Sequence, residues 1–145
     1  MNNKIENENE NKNKNVNKND NDDGNKNKNK NVIDKPLGWY CNIDGDDYSG
    51  HKVKKICVYP NKRLSLQSHN HRSEHWIVIQ GSVIAQVGDD YHTLQKNQSI
   101  YIPKNVLHRL QNNGNDNAEI IEVQIGNYLG EDDIKRYEDD FGRTL

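Results

Sequence analysis

The sequence is poor in the residues that build a large apolar core. Its 145 residues include one Phe, two Trp and one Met, and apolar side chains make up 31% of the chain. No apolar run approaches the roughly 20 residues of a membrane-spanning helix. The N-terminus also lacks the apolar segment of a signal peptide. These absences predict a soluble, cytoplasmic protein with no membrane partner.

Cysteine is equally scarce, with two residues in the whole chain. Cys41 and Cys57 each fall in a segment with the pattern of a strand or its edge. Because no secretory signal is present, we expect two reduced, partly buried thiols rather than a disulfide.

The first 31 residues are low in complexity, with Asn at every odd position from Asn7 to Asn21. Such a tract cannot bury a core, so we predict a disordered Asn/Lys-rich tail over residues 1–31 and one domain over residues 32–145. The tail carries seven Lys and six acidic residues, and the domain holds 13 basic and 16 acidic residues. This balance argues against a nucleic-acid partner.

Short strand-like segments separated by polar turns fill most of the domain. The alternating pattern predicts strands at residues 52–59, 64–69, 75–80, 83–87, 91–94, 99–102, 108–111 and 119–125. Many short strands of this kind indicate an all-β sandwich or jelly-roll barrel, and periodicity leaves both open. Acidic residues 131–133, followed by apolar residues at helical spacing, predict a short C-terminal helix over residues 131–139.

Side chains that bind metals are concentrated in one segment. Gln67, His69 and His71 alternate along a predicted strand, so all three can point into one cavity. Glu74 follows across a tight corner, and His108 opens a later strand. The pattern indicates a metal site inside a small β-barrel.

Two motifs resemble the paired motifs of the cupin superfamily, G-x5-H-x-H-x4-E-x6-G and G-x5-P-x-G-x2-H-x3-N. The first is matched from Gln67 to Gly81 and the second from Pro103 to Asn112. Gln67 replaces the first histidine, and Asn stands at three positions where Gly is usual: Asn61, Asn97 and Asn105. Asn tolerates left-handed backbone conformations, so these turns stay possible. The resemblance implies a cupin jelly-roll β-barrel.

Longer sequence segments, within about residues 35–143, are similar to the type II mannose-6-phosphate isomerase cupin. They are residues 64–76, 101–103, 106–109, 121–124, 128–134 and 138–143. That domain usually forms the C-terminal part of bifunctional mannose-1-phosphate guanylyltransferase/mannose-6-phosphate isomerase enzymes. The resemblance implies interconversion of mannose 6-phosphate and fructose 6-phosphate, which feeds GDP-mannose and polysaccharide biosynthesis. Guanylyltransferase activity is not expected, since the chain has no room for that domain.

The same resemblance implies four ligands for one divalent metal ion: Gln67, His69, Glu74 and His108. Mixed nitrogen and oxygen ligands favour zinc, while manganese, cobalt, nickel and iron stay open. A sugar isomerase also needs a proton carrier, for which His71 and Glu122 are candidates.

The sugar phosphate would need cations at the rim of the cavity. The available ones are Arg63, Arg72, Lys104, Arg109 and Arg143. For Arg72 and Arg109, a structural ion pair is the alternative.

Two other functions stay open: a non-catalytic sugar-phosphate-binding or regulatory cupin, and a different metal-cupin enzyme. Because a dimer would cover exposed sheet edges, we expect a homodimer.

Overall fold

The computed structural model describes residues 31–143, so the tail predicted over residues 1–31 lies, apart from its last residue, outside the described part. The described residues form strands joined by turns. These are β1 (Val32–Lys35), β2 (Gly38–Gly45), β3 (His51–Val58), β4 (Leu66–Ser68), β5 (Arg72–Gln80), β6 (Ser82–Val87), β7 (Asp90–Gln95), β8 (Ser99–Ile102), β9 (His108–Gln111), β10 (Ala118–Gly126) and β11 (Lys135–Glu138).

The strands build two antiparallel sheets. The six-stranded sheet has the order β1-β2-β3-β10-β5-β8, and the five-stranded sheet has the order β11-β4-β9-β6-β7. Neighbours in each sheet are far apart in sequence, as in the pairing of β10 with β3 and β5. The predicted all-β class is confirmed.

The core lies between the sheets toward one end. Its members are buried apolar side chains: Ile56, Val58, Trp76, Val78, Val83, Ala85, Leu94, Ile102, Leu110, Ala118 and Ile120. Since side chains alternate along a strand, each long strand contributes every second residue to the interior. In β10 the inward residues change from Ala118 and Ile120 to Glu122 and Gln124, all buried. The interior is therefore apolar at one end and polar at the other.

The predicted strands match the observed ones closely. Each of the eight segments from residue 52 to residue 125 overlaps one of the strands β3 to β10. The three Asn residues predicted to replace Gly in turns, Asn61, Asn97 and Asn105, have φ values of 59°, 74° and 63°. Left-handed Asn thus replaces Gly at those turns, as the sequence indicated.

The C-terminal helix predicted over residues 131–139 is wrong. Residues 131–133 form a turn and bend, and β11 pairs antiparallel with β4. The acidic residues bind groups that are distant in sequence instead. The Asp133 carboxylate accepts hydrogen bonds from the backbone N–H groups of Asn70 and His71 at 3.1 and 2.9 Å. Long-range pairing outweighs local helix propensity here. No helix able to span a bilayer occurs between residues 31 and 143.

Candidate metal centre

The polar end of the interior collects side chains from both sheets. His69 follows β4, Glu74 lies in β5, and His108 is the first residue of β9. Glu74 faces inward because it shares the parity of the core residues Trp76 and Val78 on the same strand. The antiparallel pairing of β4 with β9 sets His108 beside Gln67.

Three of the four predicted ligands form one compact cluster. His69 Nε2 lies 3.1 Å from Glu74 Oε1, and His108 Nε2 lies 3.6 Å from Glu74 Oε2. The ligand atoms of the three residues lie within 4.8 Å of one another. The residues are only 2%, 0% and 1% exposed, so the cluster is shielded from bulk water.

Backbone hydrogen bonds orient both imidazole rings. His69 Nδ1 lies 2.8 Å from the carbonyl of Asp133, and His108 Nδ1 lies 2.8 Å from the carbonyl of Val106. A carbonyl oxygen only accepts, so each Nδ1 carries the proton and each Nε2 presents a lone pair. Burial lowers the pKa of His108, an effect that the charge of Glu74 only partly offsets.

This arrangement fits a divalent cation. Among the described residues, His108 Nε2 is buried without a hydrogen-bond partner, and a buried polar atom of this kind is costly. Two imidazole lone pairs and a carboxylate converge on one point, as in protein sites for zinc and related metals. The cluster therefore has the donor set of a possible divalent-metal site.

Arg72 lies against the ligand cluster and not at the rim. Its Nε donates to Glu74 Oε1 at 2.9 Å, and its Nη2 lies 3.2 Å from His69 Nε2. Burial alone would raise the pKa of Glu74, but His69, His108 and Arg72 together lower it below its usual range. Glu74 is thus held as a carboxylate, the form that binds a metal.

Gln67 lies beside the cluster as its predicted fourth member. It is the register partner of His108 across β4 and β9, and its side chain borders the cavity described below. Its Oε1 accepts a hydrogen bond from Ser65 Oγ at 2.9 Å. Metal ligation by Gln67 stays a prediction.

A second buried carboxylate, Glu122, stands next to the cluster. The indole Nε1 of Trp76 donates to Glu74 Oε2 at 2.9 Å and to Glu122 Oε2 at 3.2 Å, so one N–H links the two carboxylates. Burial, together with the negative charge of Glu74, raises the pKa of Glu122 to about 7. At neutral pH this group can both accept and release a proton.

A cavity of about 290 Å³ opens beside the cluster. Gln67, Arg72 and Glu122 border it on the metal side. Its other charged residues are Lys35, Lys54, Glu131, Arg136 and Arg143. A cavity of this size with many charged groups suits a small, highly polar ligand.

Two of the five predicted phosphate contacts, Arg72 and Arg143, line this cavity. Arg63 is paired with Asp140 through two hydrogen bonds of 2.7 and 2.9 Å. Arg109 donates hydrogen bonds to the Leu64 carbonyl and to Glu138, so it forms the structural ion pair that was the alternative to a phosphate contact. Lys104 is exposed on the turn before β9. For these last three the structure offers no cavity contact.

His71, the other predicted proton carrier, is not brought to the cavity. Its side chain is exposed, and its ring packs edge-on against Tyr128 at 6.0 Å between centroids. The corner that follows β4 turns this ring outward, while His69 turns inward. Of the two predicted carriers, only Glu122 borders the cavity.

Arg136 is a cavity residue that the sequence did not reveal. It lies on β11, and within residues 31–143 its buried Nε has no hydrogen-bond partner. Burial lowers the pKa of Arg136, and the positive charge of Arg143 adds to this effect. The prediction of a helix here hid the inward position of Arg136. Only the alternation of a β-strand places Arg136 on the inner side and Lys135 and Tyr137 on the outer side.

Comparisons with known proteins identify the family of the chain. A family described as mannose-6-phosphate isomerase C-terminal matches residues 21–139. The xanthan biosynthesis protein XanB of Xanthomonas campestris pv. campestris (strain B100) is 52% identical over 111 residues, or 76% of this chain and 23% of that protein. The mannose-1-phosphate guanylyltransferase of Escherichia coli (strain K12) is 43% identical over 110 residues, 76% of this chain and 23% of that protein. The chain spans about a quarter of the length of these relatives.

Solved structures agree on the fold. A cupin-2 domain protein of Rhodospirillum rubrum superposes with a TM-score of 0.63 at 10% identity, covering 74% of each chain. The cupin domain of Schizosaccharomyces pombe Cnp3 gives 0.61 at 9% identity, covering 66% of this chain and 68% of that one. The fold is thus the cupin β-barrel, and the chain belongs to the mannose-6-phosphate isomerase C-terminal family.

Proposed function

We propose that the protein is a metal-dependent isomerase that interconverts mannose 6-phosphate and fructose 6-phosphate. The observation that carries this proposal is the buried His69–Glu74–His108 cluster beside a cavity that also holds Glu122. Family membership gives independent support. The names of the relatives suggest that the product enters the synthesis of GDP-mannose and of polysaccharides.

The ligand set would be His69, Glu74 and His108, with Gln67 as a fourth donor and zinc as the ion. Zinc accepts mixed nitrogen and oxygen ligands, and in catalytic sites it can expand to five-coordinate, so a set of four protein donors still leaves a position for substrate. Bound there, the cation would polarise the sugar oxygens and lower the cost of the negative charge that develops in the enediol.

Glu122 is the proposed proton carrier. The isomerisation removes a proton from C2 of the open-chain aldose and returns one to C1, while the proton of the C2 hydroxyl passes to the C1 oxygen. One group that acts first as base and then as acid can carry the proton between the two carbons. A carboxyl with a pKa of about 7 is suited to both steps. The hydrogen bond from Trp76 Nε1 holds its Oε2 on the side of Glu74, adjacent to the metal ligands.

Arg136 and Arg143 are proposed to bind the phosphate within this cavity, which both residues line. Arg143 already pairs with Asp139 at 2.7 Å, whereas Arg136 has no ion-pair partner among residues 31–143 and an Nε free to donate. A phosphate dianion would satisfy this donor and relieve the repulsion between the two guanidinium groups.

Replacing Arg136 by alanine should raise KM for mannose 6-phosphate with a smaller effect on kcat. A charge-assisted hydrogen bond contributes about 1.5–3 kcal/mol, which corresponds to a rise of roughly 10–100-fold. Steady-state kinetics would measure it. Arg63→Ala is the matched control, because Arg63 is paired with Asp140 outside the cavity. Equal KM values for wild type and Arg136→Ala would contradict the assignment.

The cytoplasm is the proposed location. Cys41 and Cys57 are both buried and free of a disulfide, which supports this proposal. Persistent free thiols are typical of a reducing compartment.

A coupled assay of fructose 6-phosphate formation tests the proposal. The full chain is stripped with a chelator and resupplied in turn with zinc, manganese, cobalt, nickel or iron, and metal content and turnover are measured on the same samples. We expect turnover that returns with at least one ion. A protein that binds metal and mannose 6-phosphate yet turns over nothing with any ion would replace the isomerase by a non-catalytic sugar-phosphate-binding cupin.

A further inference from the structure

The cavity beside the candidate metal centre contains an ion pair to which the proposed reaction assigns no role. Its members are Lys54 on β3 and Glu131 in the turn between β10 and β11, and both border the cavity. The arginines of the cavity already have roles at the ligand cluster or the phosphate, and the remaining cation, Lys35, is exposed. The pair is therefore the part of the cavity wall still to be explained.

Lys54 points into the cavity from the strand next to the proposed proton carrier. It is the register partner of Glu122 in the pairing of β3 with β10, and cross-strand partners on one face have Cβ atoms about 4.5–5.5 Å apart. The residue is only 5% exposed. Its ammonium lies 4.7 Å from the centroid of the Tyr40 ring, which also borders the cavity. The positive charge is thus confined to the cavity wall beside Glu122.

Glu131 is positioned by its neighbours in the turn and not by the ion pair alone. The carbonyl of Leu129 accepts a hydrogen bond from Lys52 Nζ at 3.0 Å, and the Asp133 carboxylate is bonded to the corner that follows β4. Burial alone would raise the pKa of Glu131, but the ammonium of Lys54 lowers it below its usual value. An ionised carboxylate is therefore held at the cavity by a turn that is anchored on both sides.

Each member of the pair keeps hydrogen-bonding capacity for a ligand. An ammonium has three N–H donors, and among residues 31–143 Lys54 Nζ has one hydrogen-bond partner, Glu131 Oε1. Within the same part of the chain, Glu131 Oε2 accepts no hydrogen bond. A donor and an acceptor thus stand side by side at the cavity. Since a hydroxyl both donates and accepts, two neighbouring sugar hydroxyls match this arrangement.

We propose that Lys54 and Glu131 bind the C3 and C4 hydroxyls of the sugar phosphate and thereby select its stereochemistry. This inference rests on the proposed function, which places C1 and C2 at the metal ligands and the C6 phosphate at the arginines. The C3 and C4 hydroxyls follow the reacting carbons directly, and Lys54 stands beside Glu122, the group that acts on those carbons. Lys54 donates to one hydroxyl oxygen, and Glu131 accepts from the other hydroxyl.

Binding of three ketose phosphates to the zinc-loaded full chain tests the proposal. Allulose 6-phosphate and tagatose 6-phosphate differ from fructose 6-phosphate only in the configuration at C3 and at C4, respectively. Isothermal titration calorimetry gives dissociation constants without requiring turnover, and kcat/KM is measured on the same samples. Wild type should bind fructose 6-phosphate roughly 10–100-fold more tightly than either epimer, since each epimer loses one charge-assisted hydrogen bond.

Lys54→Met removes the ammonium and keeps an apolar stem of similar length. The preference over one of the two epimers should disappear in this variant. Loss of a positive charge alone would weaken the binding of all three phosphates equally, so the ratio of dissociation constants isolates the stereochemical effect. Lys55→Met is the matched control, because Lys55 lies on the same strand, faces outward and pairs with Glu119 at 3.2 Å. Its ratios should equal those of wild type.

Glu131→Ala is a second variant that guards against a fold defect, because the Glu131 side chain is 52% exposed. It should lose the preference over the other epimer, and circular dichroism and thermal unfolding check the fold of both variants. Loss of either preference in a folded variant supports the proposal. A wild type that binds the three sugars equally, or folded variants that both keep the ratios of wild type, would overturn it.

The calorimetric and kinetic readouts separate this inference from the proposed function. Stereochemical preference that depends on Lys54, in a chain that turns over nothing with any ion, removes the isomerase and keeps the recognition of the hydroxyls. Turnover of fructose 6-phosphate with ratios unchanged in both variants keeps the isomerase and removes the role of the ion pair.

Discussion

Replacing His108 by alanine should abolish tight metal binding and, with it, isomerase turnover. His108 supplies one of three buried donors, and its Nε2 is oriented by the hydrogen bond from Nδ1 to the Val106 carbonyl. Loss of a residue that merely supports a ligand already costs about 10–100-fold in metal affinity, so loss of the ligand itself should cost at least about 100-fold. Competition with a chelating dye would measure the affinity directly.

His92→Ala is the matched control for this experiment. His92 is exposed on the edge strand β7 of the same sheet as His108, two strands from β9, so its removal should change neither affinity nor turnover. Because His108 also packs against Trp76 at 5.7 Å, the variant needs a check of its fold by circular dichroism. A folded His108→Ala protein with the metal affinity of wild type would remove His108 from the ligand set.

Replacing Glu122 by glutamine should lower kcat by about 10²–10⁴-fold, the usual contribution of a positioned acid or base. Glutamine keeps the size of the side chain but cannot carry the proton. Since Glu122 is not in the ligand cluster, metal content should stay at the wild-type level. KM for mannose 6-phosphate should change far less than kcat. Steady-state kinetics with metal analysis of the same sample would separate these effects.

Glu119→Gln provides the comparison on the same strand. Glu119 differs from Glu122 in facing outward, where it pairs with Lys55 at 3.2 Å, so its replacement should leave kcat unchanged. A Glu122→Gln enzyme with wild-type kcat would show that another group carries the proton. Loss of metal from the same variant would instead show that Glu122 belongs to the metal centre.

The sequence was sufficient to predict the β-barrel and the three residues at the centre of the candidate site. Strand alternation and turn residues located β3 to β10, because each of those strands is bounded by local signals. The spacing of His69 and Glu74, with His108 on a later strand, predicted three residues that the structure brings within reach of one ion. These predictions depend on local pattern and on the resemblance to cupins.

The helix prediction failed, and the cavity residue Arg136 was missed, because the partners of these groups are distant in sequence. Glu131 pairs with Lys54 and Asp133 accepts hydrogen bonds from Asn70 and His71, so acidic residues typical of a helix start serve other elements instead. Arg63 and Arg136 are equivalent by residue type, yet among residues 31–143 only Arg63 forms an ion pair, with Asp140. Such pairings depend on the topology of the folded chain, which local sequence patterns do not reveal.

The hydrogen bond from His69 to the Asp133 carbonyl also imposes an order on folding. The two residues are 64 positions apart, and closure of a loop of that length must precede any gain from the contact. A chain emerging during synthesis could pair His69 with Glu74 early, yet His69 is fixed in its metal-binding tautomer only after β11 docks on β4. In the proposed metal site, therefore, His69 is oriented for binding only once β11 has docked on β4.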